Sequence, residues 1–210
     1  MRQIIIGIGG VTNGGKTTLA NKVYEHIPNT FIISQDKYFK DESLVAVDSS
    51  GFKQYDVIDA LDMDSMMLDI ESWRKDPRSF LKINELKNPP NFKDSTEVRD
   101  DVYILIIEGF LLFNYKPLND LFDRRYYLQV PYEVCKKRRC TRVYVPPDPP
   151  GYFDGHVWPM YVKNRKEMEA TGSALIYLDG TKMRDELFSI VHEEIMIEIQ
   201  KLAGKTLEND

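Results

Sequence analysis

Five short apolar runs, separated by amphipathic and polar stretches, organise the chain. Ile4-Ile5-Ile6-Gly7-Ile8 is almost uninterrupted, as a strand buried on both faces of a parallel sheet should be. Lys16 to Ile27 changes period: Leu19, Ala20, Val23 and Ile27 share one helical face, and Pro28-Asn29 stops it. Thr30–Ser34 is a second strand, ending at Gln35-Asp36. Met63, Met66, Met67, Ile70 and Trp73 recur at helical spacing and predict a core-facing stripe. Val102–Ile107 is the most apolar run and reads as the central strand, closed by Glu108-Gly109. Arg125–Val130 and Ala174–Leu178 complete the set of strands. Helices are expected after Pro131, over Pro159–Ala170 with Gly172 as its stop, and in a last segment carrying Leu187, Ile190, Val191, Ile195, Ile199 and Leu202.

Strands alternating with helices give an α/β class with a parallel sheet. One domain is expected over residues 1–204. It has a lid at about 132–155, a polar surface excursion at about 75–101 that contains Pro89-Pro90, and a frayed tail at 205–210.

Composition narrows the function classes. The net charge of −5 argues against a broad nucleic-acid surface. No apolar stretch is long enough for a bilayer, and Met1-Arg2-Gln3 leads directly into the first strand, so neither a membrane segment nor a signal peptide is expected. Cys135 and Cys140, the only two cysteines, fit no zinc spacing and suit a reducing, cytoplasmic setting. The three histidines, His26, His156 and His192, are scattered and suggest no metal set.

Chemistry enters at Gly10-Val11-Thr12-Asn13-Gly14-Gly15-Lys16-Thr17, which fits G-x-x-x-x-G-K-[ST] between a strand and a helix. Such a loop turns main-chain N–H groups onto phosphate oxygens, and the following helix adds its free donors and dipole. Lys16 is expected on the β- and γ-phosphates, and Thr17 on Mg²⁺. Ligands in open α/β sheets sit beyond the carboxyl ends of the strands, where Asp36 and Glu108 also fall. Asp36 is assigned as the general base on an acceptor hydroxyl, with a possible contact to Mg²⁺; Glu108 is the metal-side acid. At about 3.6 residues per turn, Arg138 and Arg142 are expected on one helical face as a lid clamp on the transferring phosphates. Arg139 points elsewhere, toward the other substrate. Asn21-Lys22 lacks the following Asp of a guanine-reading motif, which favours ATP as donor.

Gly10 to Thr18, Ser34-Gln35-Asp36, Gln54–Val57, Ile107–Leu118, Cys135–Arg139 and Pro150–Tyr161 together closely resemble the nicotinamide riboside kinases. The stretches at 107–118 and 150–161 are specific to that family, and the similarity runs from the first strand to the last helix. The resemblance implies a P-loop NTPase fold: a five-stranded parallel sheet flanked by helices, with a basic lid helix. It implies Mg²⁺-dependent, ATP-driven phosphorylation of the ribose 5′-hydroxyl of nicotinamide riboside, feeding NAD synthesis, with nicotinic acid riboside as a second substrate. By matching position it places Phe39, Tyr55, Asp56 and Arg139 at the nucleoside. Arg138, Arg142 and Tyr144 fall in the lid segment near ATP, with Lys182 and Arg184 near its base. Tyr144 is equally suited to the nucleoside site, because an aromatic face attracts a cationic pyridinium. Lys37 departs from the family, which commonly has an acid there. The partners implied are small molecules, and no protein partner is indicated. Two alternatives stay open: a kinase for another nucleoside such as uridine, and a non-catalytic protein that binds nucleotide as a switch.

Overall fold

The computed structural model describes residues 1–85, 102–144 and 147–204. Strands β1 (Arg2–Gly10), β2 (Thr30–Ser34), β3 (Val102–Glu108), β4 (Arg124–Gln129) and β5 (Ile176–Asp179) form one parallel sheet in the order β2-β3-β1-β4-β5. Side chains alternate across a strand, and the apolar runs therefore feed two cores. Ile4, Ile6, Ile8, Ile104 and Ile106 pack with Leu19 and Val23 of α1 (Lys16–His26) and with Leu187, Val191, Ile195 and Ile199 of α7 (Arg184–Gly204). Ile5, Leu105 and Ile107 face the other way, onto Met66, Ile70 and Trp73 of α2 (Met63–Lys75) and onto Phe113. The methionine stripe is thus core, and Asp62 caps α2 by accepting from Ser65 N at 3.0 Å.

Three expectations are corrected. The excursion placed at 75–101 is in part ordered helix: α3 spans Pro77–Glu85, with Leu81 buried and Phe80 edge-on to Phe31 at 5.0 Å. Residues 86–101, like the tail at 205–210, lie outside the described residues. The last strand begins at Ile176 rather than Ala174, because its pairing to β4 starts at Tyr126↔Ile176. The third correction concerns the basic helix. After a one-turn helix α4 (Lys116–Asn119) and β4, helix α5 runs only over Tyr132–Cys140. Thr141 Oγ1 donates to Arg138 O at 2.8 Å and Arg142 N donates to Arg139 O at 3.1 Å, tightening the chain out of the helix before its proline-rich stretch. Arg142 is therefore not on the helical face of Arg138.

A wide turn over Phe153–Val157 leads into α6 (Trp158–Ala170), which stops with Gly172 at φ +70°. Val11, Val130, Cys135, Tyr152, Phe153 and Val157 make a third small core that roots α5 and this turn under the loop after β1. Among the described residues, no helix is long and apolar enough to cross a membrane.

Candidate active site

The carboxyl ends of β1, β2 and β3 open into a cleft of about 970 Å³. The loop Gly10–Thr17 forms its floor. Gly10 has φ +135°, and a Cβ there would stand 2.3 Å from Leu128 O, so only glycine fits. Asn13 (φ +56°) and Gly15 (φ +100°) complete the left-handed bends that turn the main chain around a concavity. Lys16 Nζ donates to Val11 O at 3.0 Å and lies over the loop. Burial lowers its pKa; Glu108 and Asp36 nearby work in the opposite direction. A desolvated ammonium beside acids is poised to take up phosphate oxygens.

The loop is tied to the segments around it. Cys135 Sγ donates to Thr12 O at 3.1 Å, and burial pushes the thiol up to about 11, which leaves it protonated and inert at neutral pH. Arg138 donates to Asn13 O at 3.3 Å and to Gly180 O at 3.0 Å, joining α5, the loop and the turn after β5. Tyr144 and Asn13 share a hydrogen bond of 3.1–3.2 Å between their side chains.

The acids stand where two neighbouring strands end. Ser34 and Glu108 are register partners, and Ser34 Oγ donates to Glu108 Oε1 at 2.5 Å; Glu108 is almost fully buried. Asp36 lies on a single 3₁₀ turn, Gln35–Tyr38, with its side chain exposed to the cleft. The turn is held by Gln35, wholly buried, whose Oε1 accepts from the N–H groups of Phe110 (3.1 Å) and Leu111 (2.9 Å). A Cβ on Gly109 would meet that same oxygen at 2.5 Å, so glycine is what lets Gln35 close over the end of β3. Lys37 points the other way, lining a groove with Tyr38, Asp69 and Phe80 on the outer side of β2.

The opposite wall is aromatic. Phe39 stacks on Phe110 (5.7 Å, 21°) and meets Tyr55 edge-on (5.5 Å, 87°). Asp56 follows, its carbonyl accepting from Asn164 Nδ2 at 2.8 Å. From α5, Arg139 makes a two-pronged pair with Asp148 (Nε–Oδ2 2.6 Å, Nη2–Oδ1 2.9 Å) and lies over the Tyr144 ring at 4.5 Å. Arg142 approaches the same ring at 5.3 Å.

The fold thus brings most of the expected residues to one place. Thr12, Asn13, Gly15, Lys16, Thr17, Thr18, Asp36, Phe39, Tyr55, Asp56, Glu108, Arg138, Arg139, Arg142 and Tyr144 all line the cleft. Lys182 and Arg184 do not; they line an adjoining cavity with Gly14, Gly15, Thr18 and Arg138. Gly10 and Val11 lie beneath the loop, at a small pocket shared with Asp56. Sequence reasoning missed Gln35, Phe110, Asp148 and Tyr152. Phe110 had a signal, since it stands two residues after the acid at the end of the central strand. Asp148 had none within its run of prolines.

Mg²⁺ is implied by the phosphate loop, and the donors fit it. Thr17, Asp36 and Glu108, a hydroxyl and two carboxylates, share the cleft with the phosphate loop. That is the pattern for an ion held by one or two carboxylates, a hydroxyl and nucleotide phosphates.

Known proteins resemble this chain along nearly its whole length. A family described as AAA domain matches residues 6–159. Nicotinamide riboside kinase 1 of Mus musculus is 53% identical over 204 residues, spanning 97% of this chain and 100% of that protein. The Homo sapiens protein of the same name is 51% identical over 201 residues, 96% of each chain. A solved structure described as a possible uridine kinase from Bacillus stearothermophilus covers 85% of this chain and 90% of its own, at a TM-score of 0.51 and 15% identity, a likeness of fold. With about half of its positions shared with such proteins from one end to the other, this chain belongs to the nicotinamide riboside kinase family.

Proposed function

We propose that this protein transfers the γ-phosphoryl group of ATP to the ribose 5′-hydroxyl of nicotinamide riboside, giving nicotinamide mononucleotide and ADP for NAD synthesis. Nicotinic acid riboside is the second substrate. The observation that carries the reading is a single cleft lined together by the main-chain phosphate cradle, by Asp36, and by an aromatic group with Asp56. A nucleotide switch has no use for that second wall.

In the proposed reaction Asp36 accepts the proton of the 5′-hydroxyl. The oxygen forms its bond to the γ-phosphorus as the bond to the β,γ-bridging oxygen breaks, and ADP leaves. Lys16, Arg138 and Arg142 stabilise the phosphate charge, and most of the rate comes from positioning and electrostatics. Arg142 acts from the turn beyond α5, so the clamp is a helix end plus a turn rather than one helical face. Bound Mg²⁺, held by Thr17 with Asp36 and Glu108, would neutralise charge on the phosphates. Lys182 and Arg184 in the adjoining cavity suit the base of ATP.

The nucleoside lies against the other wall. Asp56 accepts from the ribose diol and Arg139 donates to the same sugar. The cationic pyridinium is attracted to an aromatic face by about 0.5–2 kcal/mol. Tyr144 already carries two guanidinium groups, which makes Phe39, Tyr55 and Phe110 the more available partners.

A panel of nucleosides assayed for ADP release, with the product identified by mass spectrometry, tests the reading. Nicotinamide riboside should be phosphorylated at the 5′ position far faster than uridine or cytidine. Equal or better turnover of a neutral pyrimidine nucleoside would overturn it.

A further inference from the structure

His156 lies in none of the expected sets, yet it is buried to 3% exposure directly behind Asp56. It sits in the wide turn before α6, its ring stacked on Tyr152 at 5.1 Å and 19°. Its two nitrogens have different neighbours. Nδ1 is 3.2 Å from the side-chain nitrogen of Gln54, and Nε2 is 3.3 Å from Oδ2 of Asp56.

The Gln54 amide settles the proton. Its nitrogen also donates to Asp48 Oδ2 at 2.9 Å and to Phe52 O at 3.0 Å, groups that only accept. The atom facing His156 is therefore an NH₂ group whose two hydrogens are directed at those oxygens; an amide nitrogen cannot accept, so Nδ1 meets it with its lone pair and at most shares one of those hydrogens. The ring proton then lies on Nε2 and points at the Asp56 carboxylate. Asp48 is itself fixed, since its Oδ1 accepts from the N–H groups of Ser50 and Phe52 at 2.9 Å each. The line Asp48–Gln54–His156–Asp56 runs from a surface turn to the cleft. At its end, Nε2 stands 3.3 Å from Asp56 Oδ2 without completing a hydrogen bond. A small swing of the carboxylate completes it, and active-site bonds commonly tighten in this way on binding.

We infer that His156 is a positioning residue for the sugar. Its ring donates from Nε2 to one oxygen of Asp56, holding the carboxylate so that the remaining lone pairs meet the ribose diol. Asn164 fixes the main chain of Asp56 from α6, and His156 fixes its side chain. The inference rests on the cleft being a nicotinamide riboside site.

His156→Phe keeps the stacked ring and removes the donor. His156→Gln places an amide nitrogen where Nε2 stands. The expected result with the full-length protein is a rise of about tenfold in KM for nicotinamide riboside in His156→Phe, with KM for ATP within about twofold of wild type; a lost charged hydrogen bond is worth this much. His156→Gln should restore KM for the riboside to within about threefold. Parallel rises in both KM values, an unchanged KM for the riboside, or a Gln variant as poor as Phe would each overturn the inference. If the Phe variant does not fold, Gln against Asn makes the same test, because Asn carries its nitrogen at the Nδ1 position; equal KM values for the two would overturn it. Wild-type turnover of nicotinamide riboside tests the underlying reading separately. A failure there removes the substrate, whereas a failure confined to the variants removes only the role of His156.

Discussion

The two walls of the cleft are made in different ways. The phosphate side is built from main chain: eight consecutive residues, bent by Gly10, Asn13 and Gly15 between one strand and one helix. The opposite side is built from side chains delivered by distant segments: Phe39 after β2, Tyr55-Asp56 before α2, Phe110 after β3, Arg139 on α5 and Asp148 beyond it. A cradle of amides tolerates variation in most of its side chains but not in its backbone angles. A wall of side chains tolerates backbone drift better than it tolerates the loss of any one contact. The phosphate loop should therefore fail through conformation, and the nucleoside wall through single groups.

The largest effect is expected at the seam between the walls. Asp36→Asn should lower kcat by about 10²–10⁴-fold, the range for a positioned general base, with both KM values within a few-fold of wild type. Near-normal turnover in steady-state assays would show that neither wall depends on this carboxylate. Next comes Gly10→Ala, which adds no polar change and acts only on backbone. The glycine-only angle costs about 1–3 kcal/mol, and the added Cβ collides with Leu128 O. Tm should fall by roughly 5 °C, and ATP binding measured by calorimetry should weaken at least about tenfold. A loop that still binds ATP normally would break the contrast between the two walls. Smallest is Arg139→Ala, where one side chain is lost and its partners Asp148 and Tyr144 remain. KM for the riboside should rise by about tenfold, roughly 1.4 kcal/mol, with KM for ATP little changed. An effect on ATP alone would move Arg139 to the phosphate wall, where its 3.3 Å contact to Thr12 Oγ1 already reaches.

The same contrast explains what was legible beforehand. Strands β1 and β3 were readable because a doubly buried parallel strand must be apolar throughout, and both are. The α2 stripe was readable for the corresponding helical reason. Arg142 was misplaced because spacing alone assumes that a helix continues; Thr141 and the turn bond from Arg142 to Arg139 O end it. Gln35 escaped notice because its role depends on Gly109, more than seventy residues away in sequence, leaving room for its amide. His156 is one of three scattered histidines and falls in the family-specific stretch at 150–161, but only its neighbours Gln54 and Asp56 show what it touches.

The amino-acid order by itself determined the alternation of strand and helix, the phosphate cradle and the two acids at strand ends. Each depends on residues adjacent in the chain, whose periodicity and backbone freedom are local properties. Tertiary structure alone decided which side chains line the cleft beside the loop, how Arg139 pairs with Asp148, and which groups flank the His156 ring. Those follow from distances between segments that the sheet order β2-β3-β1-β4-β5 brings together, and no local pattern encodes a distance across a cleft.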